Sequence, residues 1–88
     1  MRSPEVEVAQ PIVFADQKLR KIFVMNSDRT GVIESEDLDL KDKQGNAVIV
    51  PTSLSSGMTV MDVKEIKAGG YFLNVNGLTK GPIKIVLF

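Results

Sequence analysis

Alternating apolar residues in the last third of the chain constrain the fold more than any other feature. Between Thr59 and Phe88, apolar positions recur at every second residue in short segments that turn residues separate. Side chains alternate between the two faces of an extended strand, so each segment presents one apolar face. The residues on these faces are Met61 and Val63, then Tyr71, Leu73 and Val75, then Ile83, Ile85 and Leu87. The pattern predicts a β-hairpin fed by a third strand, with the rest of the chain covering its apolar face.

Glycine-containing pairs mark the turns between these segments. Gly69-Gly70 predicts a tight corner, because glycine accepts positive φ angles and allows close approach of the backbone. Asn76-Gly77 predicts a turn, and the last strand begins after Gly81-Pro82. Tyr71, which follows the corner, is expected to be a packed core aromatic whose hydroxyl finds a backbone partner.

Strand signals upstream of this region are shorter. Ile12 to Phe14 predicts the first strand, and Leu38 to Leu40 alternates with charged residues as a strand with one buried face does. Ala47 to Val50 is interpreted as the returning strand, which Pro51 ends because proline has no N–H to donate to a ladder. The serine-rich stretch from Thr52 to Gly57 is predicted to be a loop.

The stretch from Asp16 to Asp37 supports two interpretations. Leu19, Ile22, Phe23 and Met25 would suit an amphipathic helix with Asp16 as its N-cap. The same apolar run has good β propensity and precedes a segment rich in Asn, Asp, Ser and Gly, which favours strand–turn–strand at least as well.

These signals together predict an all-β protein. Roughly seven short strands with turn signals about every ten residues are typical of an immunoglobulin-like antiparallel β-sandwich. Residues 18–88 are predicted to form this domain. Residues 1–17 are predicted to be a linker or N-terminal arm, with an edge strand at Val6 and Val8 as the alternative.

Composition excludes several kinds of chemistry. The chain has 88 residues with neither Cys nor His, which removes disulfides, thiolate nucleophiles, Cys/His zinc sites and histidine acid–base catalysis. Lys and Arg together number 11, as do Asp and Glu, so bulk charge gives no case for nucleic acid. We therefore expect a non-enzymatic domain without a cofactor. The local basic group Lys18, Arg20 and Lys21 is interpreted as a solvated face.

Three segments of the chain resemble a known bacterial family. They are Leu38 to Val48, Met61 to Val75 with its Gly69-Gly70-Tyr71, and the closing Ile83 to Phe88. In these segments the chain is similar to the C-terminal sorting domains of the type IX secretion system of Bacteroidetes, and to related small immunoglobulin-like proteins of that phylum. The Tyr-Pro-Asn-Pro motif of many family members is replaced here by Val24-Met25-Asn26-Ser27-Asp28.

The resemblance implies a secretion and sorting signal at the end of a cargo protein. An outer-membrane translocon would recognise the domain, a sorting protease would remove it, and the cargo would pass through the periplasm to the cell surface or the medium. The partner-binding residues would be the corner and the last strand, namely Gly69, Tyr71, Lys84, Ile85, Val86, Leu87 and Phe88.

The last strand also suits recognition on physical grounds. With Ile83, Ile85 and Leu87 facing the core, Val86 and Phe88 project to the other side, where an apolar free edge invites strand addition by a partner. A covering N-terminal arm is the equal alternative for Val86 and Phe88. An edge-to-edge homodimer is a third outcome.

Other functions remain open from the sequence. The twelve-residue stretch Asn26 to Asp37 echoes an EF-hand loop, with calcium ligands at Asn26, Asp28, Thr30 and Asp37. A cell-surface or accessory binding module is a further alternative. An acid pair for glycoside hydrolysis drawn from Glu34, Glu36, Asp37 and Asp39 is less favoured than a solvated acidic face.

Overall fold

A computed structural model describes residues 11–26, 33–76 and 81–88, and the regular secondary structure of these residues is almost entirely β. The strands are β1 (Pro11–Asp16), β2 (Lys21–Asn26), β3 (Leu38–Asp42), β4 (Thr52–Ser55), β5 (Met58–Asp62), β6 (Gly69–Val75) and β7 (Ile83–Leu87). A short 3-10 helix at Ser35–Asp37 leads into β3.

The strands form two antiparallel sheets. One sheet has the order β1-β2-β5-β4 and the other has the order β3-β6-β7. Lettering the strands A to G in chain order gives sheets ABED and CFG, the arrangement of immunoglobulin constant-type domains. The predicted immunoglobulin-like β-sandwich of about seven strands is therefore confirmed.

The core lies between the sheets and follows the alternation of the sequence. Ile22 and Val24 of β2 face Leu73 and Val75 of β6 across it, and all are fully or almost fully buried. Burying one such aliphatic side chain contributes roughly 1.5–3 kcal/mol to folding before entropy is counted. The remaining core residues are Ile33, Leu40, Met61, Val63, Tyr71, Ile85 and Leu87.

The ambiguous segment at β2 is a strand. Ile22 and Val24 point into the core, while the side chain between them, Phe23, lies on the outer face of the sheet. Asp16 does not start a helix; its carboxylate oxygen Oδ1 accepts the N–H groups of Lys18 and Leu19, both at 3.0 Å, within the turn from β1 to β2. The turn-rich residues 27–32 lie outside the described residues.

The strand predicted at Ala47 to Val50 is wrong. Ala47 makes only an isolated bridge to Lys41, although Val48 and Val50 pack against the core and Ile49 is 89% exposed. This stretch has the alternation of a strand because it covers the rim of the core, but it does not continue along the ladder.

The neighbouring prediction, a loop from Thr52 to Gly57, is also wrong, because Thr52–Ser55 is β4. Pro51 does not end a strand: its carbonyl accepts the N–H of Asp62 at 2.9 Å and so opens the pairing of β4 with β5. A strand with mostly exposed side chains carries no apolar alternation, which is why the pattern missed it.

Three further strand predictions concern β1, β5 and the N-terminal residues. The predicted first strand is confirmed as β1, which pairs with β2 along its whole length within the segment predicted as an arm. The third strand predicted before the C-terminal hairpin is β5, and it lies in the opposite sheet. The alternative edge strand at Val6 and Val8 lies outside the described residues.

Candidate functional site

The corner before β6 is anchored by a tyrosine. Tyr71 is 8% exposed, and its hydroxyl donates to the carbonyl of Lys67 at 2.7 Å, as predicted for this residue. Hydroxyl-to-backbone bonding at this place in the chain is the tyrosine corner of immunoglobulin-like domains. Gly69 has φ +145°, a conformation that residues with a Cβ rarely adopt, so glycine is required there. The corner fixes the start of β6 and thereby the position of its partner β7.

Strand β7 is one of the two edge strands of the three-stranded sheet. It pairs with β6 in the register Tyr71↔Ile85, so Ile85 and Leu87 enter the core while Ile83 is half-buried. On the opposite side Lys84 is exposed, Val86 is 44% exposed and Phe88 is 80% exposed. The predicted division of this strand is confirmed for Ile85 and Leu87 in the core and for Val86 and Phe88 outside it, whereas Ile83 is not a core residue.

The free backbone edge of β7 is partly occupied by the turn between β1 and β2. The Gln17 side-chain amide donates from Nε2 to Val86 O at 2.9 Å, and its Oε1 accepts from Phe88 N at 3.0 Å. The Arg20 guanidinium donates to Phe88 O and to Ile66 O, both at 2.8 Å. We call these two side chains, Gln17 and Arg20, the edge cap.

No pattern in the sequence indicates the edge cap. The sequence predicts a solvated basic face at Arg20, yet two backbone carbonyls accept hydrogen bonds from its guanidinium and its own backbone has φ 55°. A glutamine and an arginine in a turn carry no pattern that indicates a bond to a strand far along the chain. The alternative cover for Val86 and Phe88, an N-terminal arm, also involves residues 1–10, which lie outside the described residues.

A second exposed feature lies on the outer face of the four-stranded sheet. The rings of Phe14 and Phe23 stack with centroids 5.0 Å apart, and Phe14 remains 51% exposed. In register with them, Ile12 lies beside Met25 and Phe23 lies beside Val60. We call Ile12, Phe14, Phe23, Met25 and Val60 the outer apolar face, in which Val60 is buried. The continuous apolar run in β2 was its only sequence signal, because such runs occur in strands with apolar residues on both faces.

The acidic candidates do not all line one groove. Glu36 and Asp39 line an open groove of about 510 Å³ together with Asn74 and Asn76, whereas Glu34 lines a different groove. Asp39 forms an exposed ion pair with Lys41, with Oδ2 and Nζ 3.5 Å apart, and such pairs contribute little to stability.

The calcium-loop residues are placed only in part. Asn26 ends β2 and Asp37 ends the 3-10 helix, while Asp28 and Thr30 lie outside the described residues. The described segments on either side are the strands β2 and β3, whereas an EF-hand loop is flanked by helices. Within residues 11–26, 33–76 and 81–88, no three acidic side chains come together as metal ligands would. The calcium hypothesis stays a prediction.

One carboxylate is clearly perturbed. Asp42 Oδ1 accepts the backbone N–H groups of Gln44 and Asn46, both at 2.9 Å, in the loop after β3. The bond from the Asn46 N–H, more than any other contact, holds the pKa of Asp42 below its usual value, and partial desolvation opposes this shift. The arrangement is that of a carboxylate that orders a loop.

No protein-family model matches the sequence, and neither a curated protein nor a solved structure matches it. In the part of the chain that the structure describes, no helix has the length and apolar character needed to cross a membrane. The fold is therefore assigned from the strand topology, and the candidate site from the contacts and exposure of its residues.

Proposed function

We propose that this domain is a non-catalytic secretion and sorting signal, read through protein–protein contacts by an outer-membrane type IX translocon. The observation that carries the proposal is the exposure of one side of β7. Lys84, Val86 and Phe88 form an outward row at a sheet edge, and side chains presented along an edge strand give a protein partner its specificity contacts. The resemblance of the last strand and of the Gly69 to Tyr71 corner to type IX sorting domains is the reason for proposing this machinery as the partner.

The proposed partner-binding residues fall into two groups, one that maintains the fold and one whose side chains are available to a partner. Gly69, Tyr71, Ile85 and Leu87 are structural, because they build the corner and fill the core. Lys84, Val86 and Phe88 are the side chains that a translocon subunit or a sorting protease would contact. Removal of the whole strand would therefore unfold the domain as well as remove the signal.

The export experiment can separate these effects. The full chain is fused behind a periplasmic reporter in a Bacteroidetes host with and without a working type IX system. We expect reporter on the cell surface or in the medium only in the competent host, and reporter trapped in the periplasm after Lys84→Glu combined with Phe88→Ser. The matched control is Leu54→Ser, which changes an exposed residue of β4 and leaves the β7 edge intact.

Two results would contradict this proposal. Reporter that stays in the periplasm of both hosts would show that the domain is no sorting signal. Normal export of a folded Lys84→Glu, Phe88→Ser fusion would show that the signal is read elsewhere on the domain.

The second candidate is an accessory or cell-surface binding module for a protein ligand. The outer apolar face favours it, since Ile12 is exposed beside the stacked Phe14–Phe23 pair and Phe14 is itself exposed. Under this candidate the cargo would be exported normally without residues 11–88, and Phe14→Ser would leave export unchanged. Under the sorting proposal, deletion of the domain abolishes export.

A further inference from the structure

The outward edge of β7 offers a defined set of backbone groups to an added strand. The bonds from Gln17 identify Val86 and Phe88 as residues whose backbone groups face away from β6. Because inward and outward residues alternate in an antiparallel ladder, Lys84 faces outward as well. An added strand would bond to Lys84, Val86 and Phe88, and the edge cap already holds Val86 O, Phe88 N and Phe88 O.

Two copies of this edge are complementary in one antiparallel register. With a twofold axis at Val86, each Val86 faces Val86 of the second copy, and each Lys84 faces Phe88 of the second copy. The hydrogen bonds between the copies would join Val86 N–H to Val86 O, Lys84 N–H to Phe88 O, and Phe88 N–H to Lys84 O. Every one of these bonds uses a backbone group that Gln17 or Arg20 occupies.

The exposed side chains suit the same register. The Lys84 ammonium would lie across the strands from the Phe88 ring, where a cation is attracted to the face of an aromatic ring. The paired Val86 side chains would form an apolar contact at the axis, and cross-strand pairs of these kinds stabilise antiparallel strands. The occupant that best fits the edge is thus a second copy of this chain.

We propose that the edge cap blocks pairing of β7 with β7 of a second copy, and that loss of the Gln17 contacts turns this edge into a homodimer interface. Edge strands with unpaired backbone groups associate unless something covers them. A side-chain amide is well suited to the task, since it presents one donor and one acceptor as a neighbouring peptide group does. The inference concerns self-association and holds whether or not the domain is exported.

The test compares the full chain with its Gln17→Leu variant by sedimentation velocity over a wide range of concentrations. Leucine has a similar size but forms no hydrogen bond, so Val86 O and Phe88 N are released. We expect a dimer dissociation constant at least about tenfold lower in the variant, because the hydrogen bonds to Gln17 no longer have to be exchanged. Gln44→Leu makes the same chemical change at an exposed loop residue and should associate no more than the parent chain.

A second substitution tests the register. Val86→Lys added to Gln17→Leu would place two ammonium groups opposite each other at the twofold axis, where like charges destabilise the pair. We expect the double variant to return to the association of the parent chain. Association of the double variant as strong as that of Gln17→Leu would overturn the β7 interface. Equal association of Gln17→Leu and the parent chain would overturn the blocking role of the cap.

Amide hydrogen exchange of the parent chain provides a test that needs no variant. The Phe88 amide donates to Gln17, whereas the Val86 amide faces outward on the same strand without a bond from the edge cap. We expect slower exchange at Phe88 than at Val86, after correction for sequence effects. Equal exchange at the two amides would show that Gln17 does not hold the edge in solution, and the inference would fail.

Discussion

Strands β7 and β4 occupy comparable places in the sandwich but are held there by different forces. Each is an edge strand, β7 in the three-stranded sheet and β4 in the four-stranded sheet. Ile85 and Leu87 of β7 are core residues, whereas Ser53, Leu54 and Ser55 of β4 are exposed. Side-chain burial therefore fixes β7, while β4 depends on its backbone ladder to β5 and on the turn that joins them. An edge strand can be held by buried side chains or by its backbone ladder and turn, but only buried side chains produce an apolar pattern in the sequence.

The largest difference in stability should appear when a leucine in each edge strand is replaced by alanine. Leu87→Ala creates a cavity in the core, because Leu87 is almost fully buried, and should reduce the free energy of unfolding by about 2–5 kcal/mol. Leu54→Ala removes a side chain that is 63% exposed and should cost less than about 0.5 kcal/mol. Urea denaturation of both variants measures the difference. Similar losses at the two positions would contradict the distinction between the edges.

The turn before β5 should be the weak point of the β4 edge. Ser56 and Gly57 have φ 52° and 80°, the positive values of a type I′ hairpin turn between the paired residues Ser55 and Met58. Gly57→Ala should cost about 1–2 kcal/mol, because a Cβ is strained in this left-handed conformation although no neighbouring atom blocks it.

The matched control for this turn is Gly81→Ala. Gly81 also has open space around it but does not adopt a positive φ, so its replacement should be nearly neutral. Thermal and urea unfolding of the two alanine variants would test the difference. A neutral Gly57→Ala would show that β4 does not depend on the strained turn.

A buried hydroxyl should contribute less than either of these features. Tyr71→Phe removes the 2.7 Å bond to Lys67 O that anchors the β6 corner, and should cost about 1 kcal/mol in the free energy of unfolding. Thr59→Val removes the comparable 2.6 Å bond to Ile33 O in the four-stranded sheet. If Tyr71→Phe and Thr59→Val reduce the free energy of unfolding by similar amounts, the two sheets differ in their edge strands rather than in their buried hydroxyl groups. A neutral Tyr71→Phe would mean that the Gly69 corner holds β6 without the hydroxyl.

The same contrast explains how much of the molecule could be predicted from its sequence. The alternation of Tyr71, Leu73 and Val75 with the outward residues between them predicted β6, and the burial of those residues is what the alternation records. The sequence does not predict strand β4, because the exposed residues Ser53 and Ser55 contribute no alternating apolar pattern. Ala47 to Val50 was misassigned because the rim of a core alternates as a strand does.

The candidate site divides in the same way. The outward position of Val86 and Phe88 follows from the period of the strand, so sequence reasoning placed them correctly. The contacts of Gln17 and Arg20 with that strand depend on the turn between β1 and β2 meeting the end of β7, which only the three-dimensional arrangement shows. Polar residues that bond to distant backbone groups look the same in a sequence as polar residues that face water.

The smallest effect concerns the connection that leaves β3 and leads towards β4. The pKa of Asp42 is lowered in the folded protein, chiefly by the N–H of Asn46, so the charged carboxylate stabilises the fold above the unfolded pKa of about 3.8. This contribution should be lost as the pH falls through the lower folded value. The stability difference between the parent chain and Asp42→Asn should therefore be greatest near neutral pH and shrink in the acid range. Urea titrations at several pH values would measure it, with Asp39→Asn as the control that removes a carboxylate from the same strand but no backbone contact. A difference independent of pH would show that the hydrogen bonds to the Asp42 side chain, rather than its charge, order this connection.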